Sequence, residues 1–200
     1  MNEILYDFCR ISRQECGRVL DTLDEAFYRE AVDLVHHAQQ RGGRLHITGI
    51  GKPAHVAAYV ASLLSSTGTP AYFLHGTEAV HGSCGQLEEN DVVICISNSG
   101  ETEEMKATAQ AIRSNGCKII AVTGDSNSWL ARFAEVHLIA HVSAEGGPLG
   151  RAPRASVLAE MLVLQGLSTV LQADRKLTPA EYIKRHPGGA LGKLRENEVC

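Results

Sequence analysis

The sequence predicts an α/β fold, a three-layer sandwich in which a five-stranded parallel sheet is flanked by helices, with an N-terminal helical extension. Three observations predict it. Short β-rich runs alternate with helix-length segments between about residues 44 and 142, the pattern of crossover-connected parallel strands. One run, Val92-Val93-Ile94-Cys95-Ile96, is apolar at every position, as a strand covered on both faces must be. No linker, repeat or low-complexity tract breaks the 200 residues, a length that suits one domain with a real core.

The elements follow in order. Residues 2–20 and 24–41 lack proline and carry apolar residues at helical spacing, with Ala26, Phe27, Glu30, Ala31, Leu34, Val35 and Ala38 tracing one stripe. Arg41-Gly42-Gly43 stops the second helix. A strand is predicted at 44–50 and a helix at 53–66 with proline in its first turn. A short strand at 71–75 and a buried one at 91–96 precede a helix at 101–114, ended by Asn115-Gly116. Residues 117–123 read as a strand, 127–133 as helical and 136–142 as the last strand. A long apolar helix at 155–173 and a short one at 179–184 close the pattern. The two leading helices either complete the domain or form an oligomer interface.

Hydrophobic residues make up 44% and charged residues 21%, ordinary for a globular chain, which excludes disorder and fibrous architectures. Nineteen basic against 23 acidic residues give a net charge of −4, which argues against a nucleic-acid or anionic-membrane surface but leaves room for a local anion pocket. No segment is expected to span a membrane, and Met1-Asn2-Glu3-Ile4 lacks a signal peptide's apolar stretch. None of the six cysteines (Cys9, Cys16, Cys84, Cys95, Cys117 and Cys200) forms a CxxC pair. The chain therefore reads as cytoplasmic with reduced thiols.

Ligands of open α/β sheets bind beyond the carboxyl ends of the strands, so the loops there carry the chemistry. Ser97-Asn98-Ser99-Gly100-Glu101-Thr102 joins a strand to a helix. It offers three hydroxyls, a glycine for a close turn and a helix N-terminus with free N–H groups, a combination suited to phosphate. The plainer reading is a turn with a serine N-cap. Gly49-Ile50-Gly51-Lys52-Pro53-Ala54 matches a dinucleotide fingerprint weakly, but the acidic residue expected after the next strand is missing. A P-loop fails because proline follows Lys52. What remains is a lysine at a strand-to-helix turn, either solvated or placed beside a phosphate or enolate oxygen. Glu78-Ala79-Val80-His81 invites a metal reading, with His55, His75 and Cys84 nearby, but no ligand pattern emerges. His81 is taken as structural or substrate-contacting, and no metal or cofactor is expected. His36-His37 reads as a helix-surface pair.

The chain resembles a SIS (sugar isomerase) domain, and within that the arabinose-5-phosphate isomerase family. The resemblance rests on Gly49-Ile50-Gly51-Lys52, Ser66-Thr67-Gly68-Thr69-Pro70, Glu78-Ala79-Val80-His81-Gly82, Ile96–Glu101, Glu145-Gly146-Gly147-Pro148-Leu149-Gly150 and His186-Pro187-Gly188-Gly189-Ala190-Leu191-Gly192. It divides the chain into an N-terminal helical extension at 1–43, a SIS phosphosugar-binding domain at 44–194 and a tail at 195–200. It implies a small-molecule sugar-phosphate ligand and a homodimer or homotetramer. Lys52, Glu104, Glu145 and His186 fall where the family places its catalytic Lys, Glu, Glu and His. Gly51, Ser97, Asn98, Ser99, Gly100, Thr102, His81 and Arg154 are the expected substrate and phosphate contacts. The chemistry is coherent: isomerisation through an enediolate needs a carboxylate base, charge stabilisation at the oxyanion and a group that opens the sugar ring. Without the resemblance, Glu104 reads as a helix-dipole carboxylate, Glu145 as a surface carboxylate and His186 as a histidine packed at a helix end.

Three departures bear on the substrate. Pro53 stands where the family has serine, Ser83 where it has aspartate, and Arg154-Ala155-Ser156-Val157-Leu158 replaces a run of hydroxyls, adding Arg154 as a cation for a phosphate or acidic sugar. Longer family members continue into a paired CBS module, which this sequence, ending after Gly192-Lys193-Leu194, is expected to lack. The leading expectation is a phosphosugar aldose–ketose isomerase. A non-catalytic sugar-phosphate sensor and a nicotinamide-nucleotide binder are the alternatives.

Overall fold

In the computed structural model, which describes residues 3–195 and 198, two helices, α1 (Glu3–Leu20) and α2 (Glu25–Gln40), lead into an alternating array. That array runs β1 (Leu45–Gly49), α3 (Lys52–Ser66), β2 (Ala71–Phe73), α4 (Gly76–Ala79), β3 (Val92–Ile96), α5 (Glu103–Ser114), β4 (Lys118–Thr123), α6 (Trp129–Phe133) and β5 (Val136–Ile139). Then come α7 (Ala155–Asp174) and α8 (Pro179–Arg185), with 3₁₀ turns at Ser83–Gln86 and Ala190–Gly192. The sheet order is β2-β1-β3-β4-β5, every pair parallel. This is the five-stranded parallel α/β architecture expected from the sequence. Of the expected 195–200 tail, only Arg195 and Glu198 lie within the described residues.

All five residues of β1 and of β3 are buried, because both faces are covered. Alternate side chains enter opposite layers. Leu45, Ile47, Ile94, Ile96 and Val122 pack with Val35, Val60, Leu64, Val163, Leu164 and Leu167 of the helices. Val93, Cys95, Ile119 and Ala121 pack with Met105, Ile112 and Leu130. A fully buried leucine such as Leu167 contributes roughly 1.5–3 kcal/mol, and its truncation to alanine costs about 2–5 kcal/mol.

The buried stripe of α2 is Tyr28, Ala31, Val32, Val35 and Ala38. Ala26 and Glu30 of the expected stripe are exposed. The helix is rotated because Tyr28 turns inward, its hydroxyl donating to the Val163 carbonyl of α7 at 2.9 Å. The strand expected at 71–75 stops at Phe73 because His75 caps α4, its Nδ1 facing the Glu78 N–H. Four-residue elements such as α4 are too short to show a period. By length and composition α7 can cross a membrane, contrary to the expectation that no segment could. Here its buried residues, Val163, Leu164, Leu167 and Leu171 among them, pack in the same core cluster as β1 and β3.

At the amino-terminal edge of the sheet, Asp91 is fully buried and ties β1 to β3. It accepts from the Arg44 backbone N–H at 2.7 Å, the Arg44 guanidinium at 2.8 Å and the Glu88 N–H at 3.0 Å, with His46 Nε2 also 3.0 Å away. Burial alone raises the Asp91 carboxyl; the Arg44 and backbone donors outweigh it and hold it below the usual carboxylate range. At the other edge, Glu15 of α1 is buried and accepts from the Ser143 N–H at 2.9 Å and from Arg18 at 3.0 Å. These bonds pin α1 to the segment after β5.

Candidate active site

The strand order reverses between β1 and β3, so their crossovers leave in opposite directions and open a crevice at the carboxyl ends. A cleft of about 310 Å³ lies there. Ile50 and Pro53 line it after β1, and Ile96, Ser97, Asn98, Ser99 and Thr102 after β3. The segment leading into α7 adds Glu145, Arg151, Pro153, Ser156, Val157 and Glu160. Helices α3, α5 and α7 all start around this cleft, so three positive dipole ends face it.

The Ser97–Thr102 loop is rigid. The Ser97 N–H donates to the Val122 carbonyl and the Gly100 N–H to the Ser97 carbonyl, each at 3.0 Å. The Leu130 N–H reaches back to the Gly100 carbonyl at 3.0 Å. Gly100 has φ +63, and a Cβ there would overlap the Ser128 side chain, so both handedness and space demand glycine. Glu101 faces away, accepting from the Trp129 N–H at 2.7 Å and pairing with Lys106 at 3.0 Å. The Trp129 and Lys106 donors hold its carboxyl below the usual range. Thr102 occupies the N-cap of α5 but makes no side-chain capping bond. The Ser97–Thr102 hydroxyl pair, 3.5 Å apart, and Ser99, whose hydroxyl accepts the Glu101 N–H at 3.2 Å, line the cleft at the start of α5. The alternative serine N-cap on α5 is not formed.

Glu145 is half-buried. Its Oε2 accepts the Arg154 N–H at 2.7 Å and the Ser156 N–H at 3.1 Å, so the carboxylate caps α7. Positive φ at Gly146 and Gly147 folds the loop that delivers it.

Three polar or charged residues of the lining, Arg151, Ser156 and Glu160, have no role assigned from the sequence. Arg151, not Arg154, is the cation in the lining. The Arg154 guanidinium instead turns to the Gly146 carbonyl, 3.3 Å away, and lies with Ile4, Leu5 and Phe8 of α1. The expected phosphate contact of Arg154 therefore lies outside the cleft lining of this chain. Ser156 and Glu160 are each 1% exposed, and neither the serine hydroxyl nor either carboxyl oxygen has a hydrogen-bond partner. A glutamate inside an apolar helix, four residues after a serine, was the available signal.

Other expected site residues stand outside the lining. Gly51 and Lys52 are exposed at the rim where α3 begins, and Glu104 is exposed on the first turn of α5. His81 is exposed after α4. His186 is far away: α7 has 20 residues, about 30 Å, and ends where Arg175 donates to Thr69 and Gln39 at the opposite edge of the sheet. His186 follows α8 there, stacked on Tyr182 at 4.3 Å with its Nδ1 unpartnered. Among the described residues no three His, Cys, Asp or Glu side chains gather as metal ligands.

Fold and cleft together define a class: an open parallel α/β protein with an anion-adapted crevice at its switch point. A family model of the SIS domain matches residues 38–169, and the chain belongs to the SIS domain family. The arabinose 5-phosphate isomerase KdsD of Pseudomonas aeruginosa is 36% identical over 190 residues, 94% of this chain and 58% of that protein. KdsD of Escherichia coli K12 is 39% identical over 160 residues, 78% and 49% of the two chains. The chain spans about half the length of the curated relatives it matches. A structure from E. coli CFT073, solved in complex with arabinose 5-phosphate, is similar at a TM-score of 0.83 and 33% identity, covering 94% of this chain and 100% of that one.

Proposed function

We propose that this chain is a phosphosugar aldose–ketose isomerase, interconverting D-arabinose 5-phosphate and D-ribulose 5-phosphate through an enediolate, and that it works as a homodimer or homotetramer. The observation that carries the reading is one cleft with two chemical ends. Ser97, Ser99 and Thr102 at the start of α5 suit the phosphate, and Glu145 suits the C1–C2 end of the sugar. The similarity to proteins named arabinose 5-phosphate isomerase, and to one solved with that sugar phosphate, supports it.

In this mechanism Glu145 takes the proton from C2 of the aldose and returns it to C1. Its Oε1 is free for this, while Oε2 is engaged by the Arg154 and Ser156 amides. Lys52 at the rim offsets the enediolate charge and Glu104 assists as a second acid or base. His186 opens the sugar ring from a neighbouring copy, since about 30 Å of α7 separates it from the cleft of its own chain. His81, exposed outside the cleft, contacts substrate in the same way.

A panel of pentose and hexose phosphates, assayed for aldose–ketose interconversion beside the free sugars, tests the reading. Turnover of a phosphorylated aldose, with none of its unphosphorylated form, is expected. Binding without turnover of any member would replace the isomerase by a sugar-phosphate sensor. Mixing the Glu145→Gln and His186→Ala proteins should restore activity that neither has alone; no restoration would remove His186 from a shared site.

A further inference from the structure

Glu160 sits in the cleft without a structural partner. It is 1% exposed, neither carboxyl oxygen meets a donor, and no other acidic residue interrupts α7 before Asp174. A buried carboxyl left this way costs stability whether charged or neutral. It lies four residues after Ser156, hence on the same helix face, and a helical side chain leans back toward the N-terminus. That direction is the end of α7 where Glu145 is held by the Arg154 and Ser156 amides. Both carboxyls line the cleft, and Arg151 is the other charged group in the lining.

The two environments differ in kind. Glu145 receives two N–H donors at a helix N-terminus. Glu160 receives none; burial first, and the neighbouring Glu145 charge second, push it up to about 8. A carboxyl kept neutral by its surroundings can serve as an acid near neutral pH.

We propose, resting on the isomerase reading above, that Glu160 is a catalytic acid of the cleft, a neutral carboxylic acid that exchanges protons with the sugar oxygens while Glu145 moves the carbon-bound proton. In the forward direction the C2–H bond breaks and its proton goes to Glu145, giving the enediolate, and the Glu160 proton then goes to O1, giving the enediol. In the second half the Glu145 proton forms the new C1–H bond, and the O2 proton returns to Glu160 as the C2 carbonyl forms. Both carboxyls end as they began, and no other reactant is consumed. Ser156, unpartnered beside Glu160, orients a sugar hydroxyl.

The test is Glu160→Gln, which keeps size and hydrogen bonding but cannot exchange the proton. Turnover of D-arabinose 5-phosphate should fall at least a hundredfold, within the usual range for a general acid, with its dissociation constant within about threefold of the wild type. Turnover within threefold of wild type overturns the assignment, whatever happens to stability. A second arm needs no turnover. The infrared spectrum of the wild type near neutral pH should show a protonated-carboxyl stretch that is missing from Glu160→Gln and moves when D-arabinose 5-phosphate binds. A band that is absent, or that the sugar phosphate leaves unmoved, overturns the proposal. A wild type that turns over no sugar phosphate defeats the isomerase reading and with it the catalytic role, while an infrared band that the sugar phosphate moves would still show Glu160 as a protonated carboxyl of the binding cleft.

Discussion

The buried carboxyl of Glu160 should write itself into the pH dependence of folding. Its value moves from an ordinary 4.5 to about 8 in the fold, so the folded chain holds this proton more tightly than the unfolded chain. Its contribution to stability is therefore complete below about pH 4.5 and is lost as pH rises toward 8. At 1.36 kcal/mol per pH unit the loss reaches roughly 3 kcal/mol by pH 7 and about 4 kcal/mol by pH 8. Against a total stability of about 5–15 kcal/mol this is a large term. Urea unfolding of the wild type and of Glu160→Gln, measured at several values from about pH 5 to pH 8, isolates it, because other titrating groups act alike in both proteins. The glutamine variant should be the more stable at neutral pH, by a margin that grows with pH. Since the neighbouring Glu145 charge adds to the shift, the margin should narrow when Glu145 is also replaced by glutamine. Parallel pH curves for the wild type and Glu160→Gln would refute the reasoning, for Glu160 would then titrate alike in both states.

Gly100→Ala should lower the melting temperature and weaken sugar-phosphate binding at least tenfold, because the new Cβ meets Ser128 at a backbone φ of +63. Calorimetry and a binding titration check it. Asp91→Ala should cost about 3–5 kcal/mol, since it removes the acceptor for the Arg44 and Glu88 donors and for His46. It should leave the Michaelis constant unchanged, because Asp91 lies at the far edge of the sheet. Having its carboxyl held low, Asp91 stabilises the fold above about pH 4 and loses that contribution as pH falls further; acid unfolding of Asp91→Asn should accordingly be shallower. Glu145→Gln should leave phosphosugar binding largely intact yet cut turnover by about a hundredfold or more, seen as lost C2 proton exchange in heavy water. Unchanged exchange would remove Glu145 as the base.

The layout of the chain was legible in the residues because it is set by local patterning. The apolar run 92–96 can only be a strand covered on both faces, and Pro53 and Gly116 punctuate helices wherever they occur. The Ser97–Thr102 loop was equally legible, since its hydroxyls, its glycine and the following helix are contiguous in sequence and need no distant partner. Glu145 was located by its place after the last strand and by resemblance, not by distance.

Contacts between distant segments decided the rest. Whether Tyr28 or Ala26 faces the core depends on a carbonyl of α7, at Val163, which no periodicity in α2 encodes. That Arg151 rather than Arg154 joins the cleft lining depends on how the loop folds, with the Arg154 guanidinium turned to the Gly146 carbonyl. Glu160 reads as an isolated charge in an apolar helix; only the fold buries it in the cleft wall without a donor, and burial is what changes its chemistry. His186 is distant from the cleft because a 20-residue helix lies between them. A sequence specifies such a separation along the chain, whereas the distance across the molecule is set by how that helix packs.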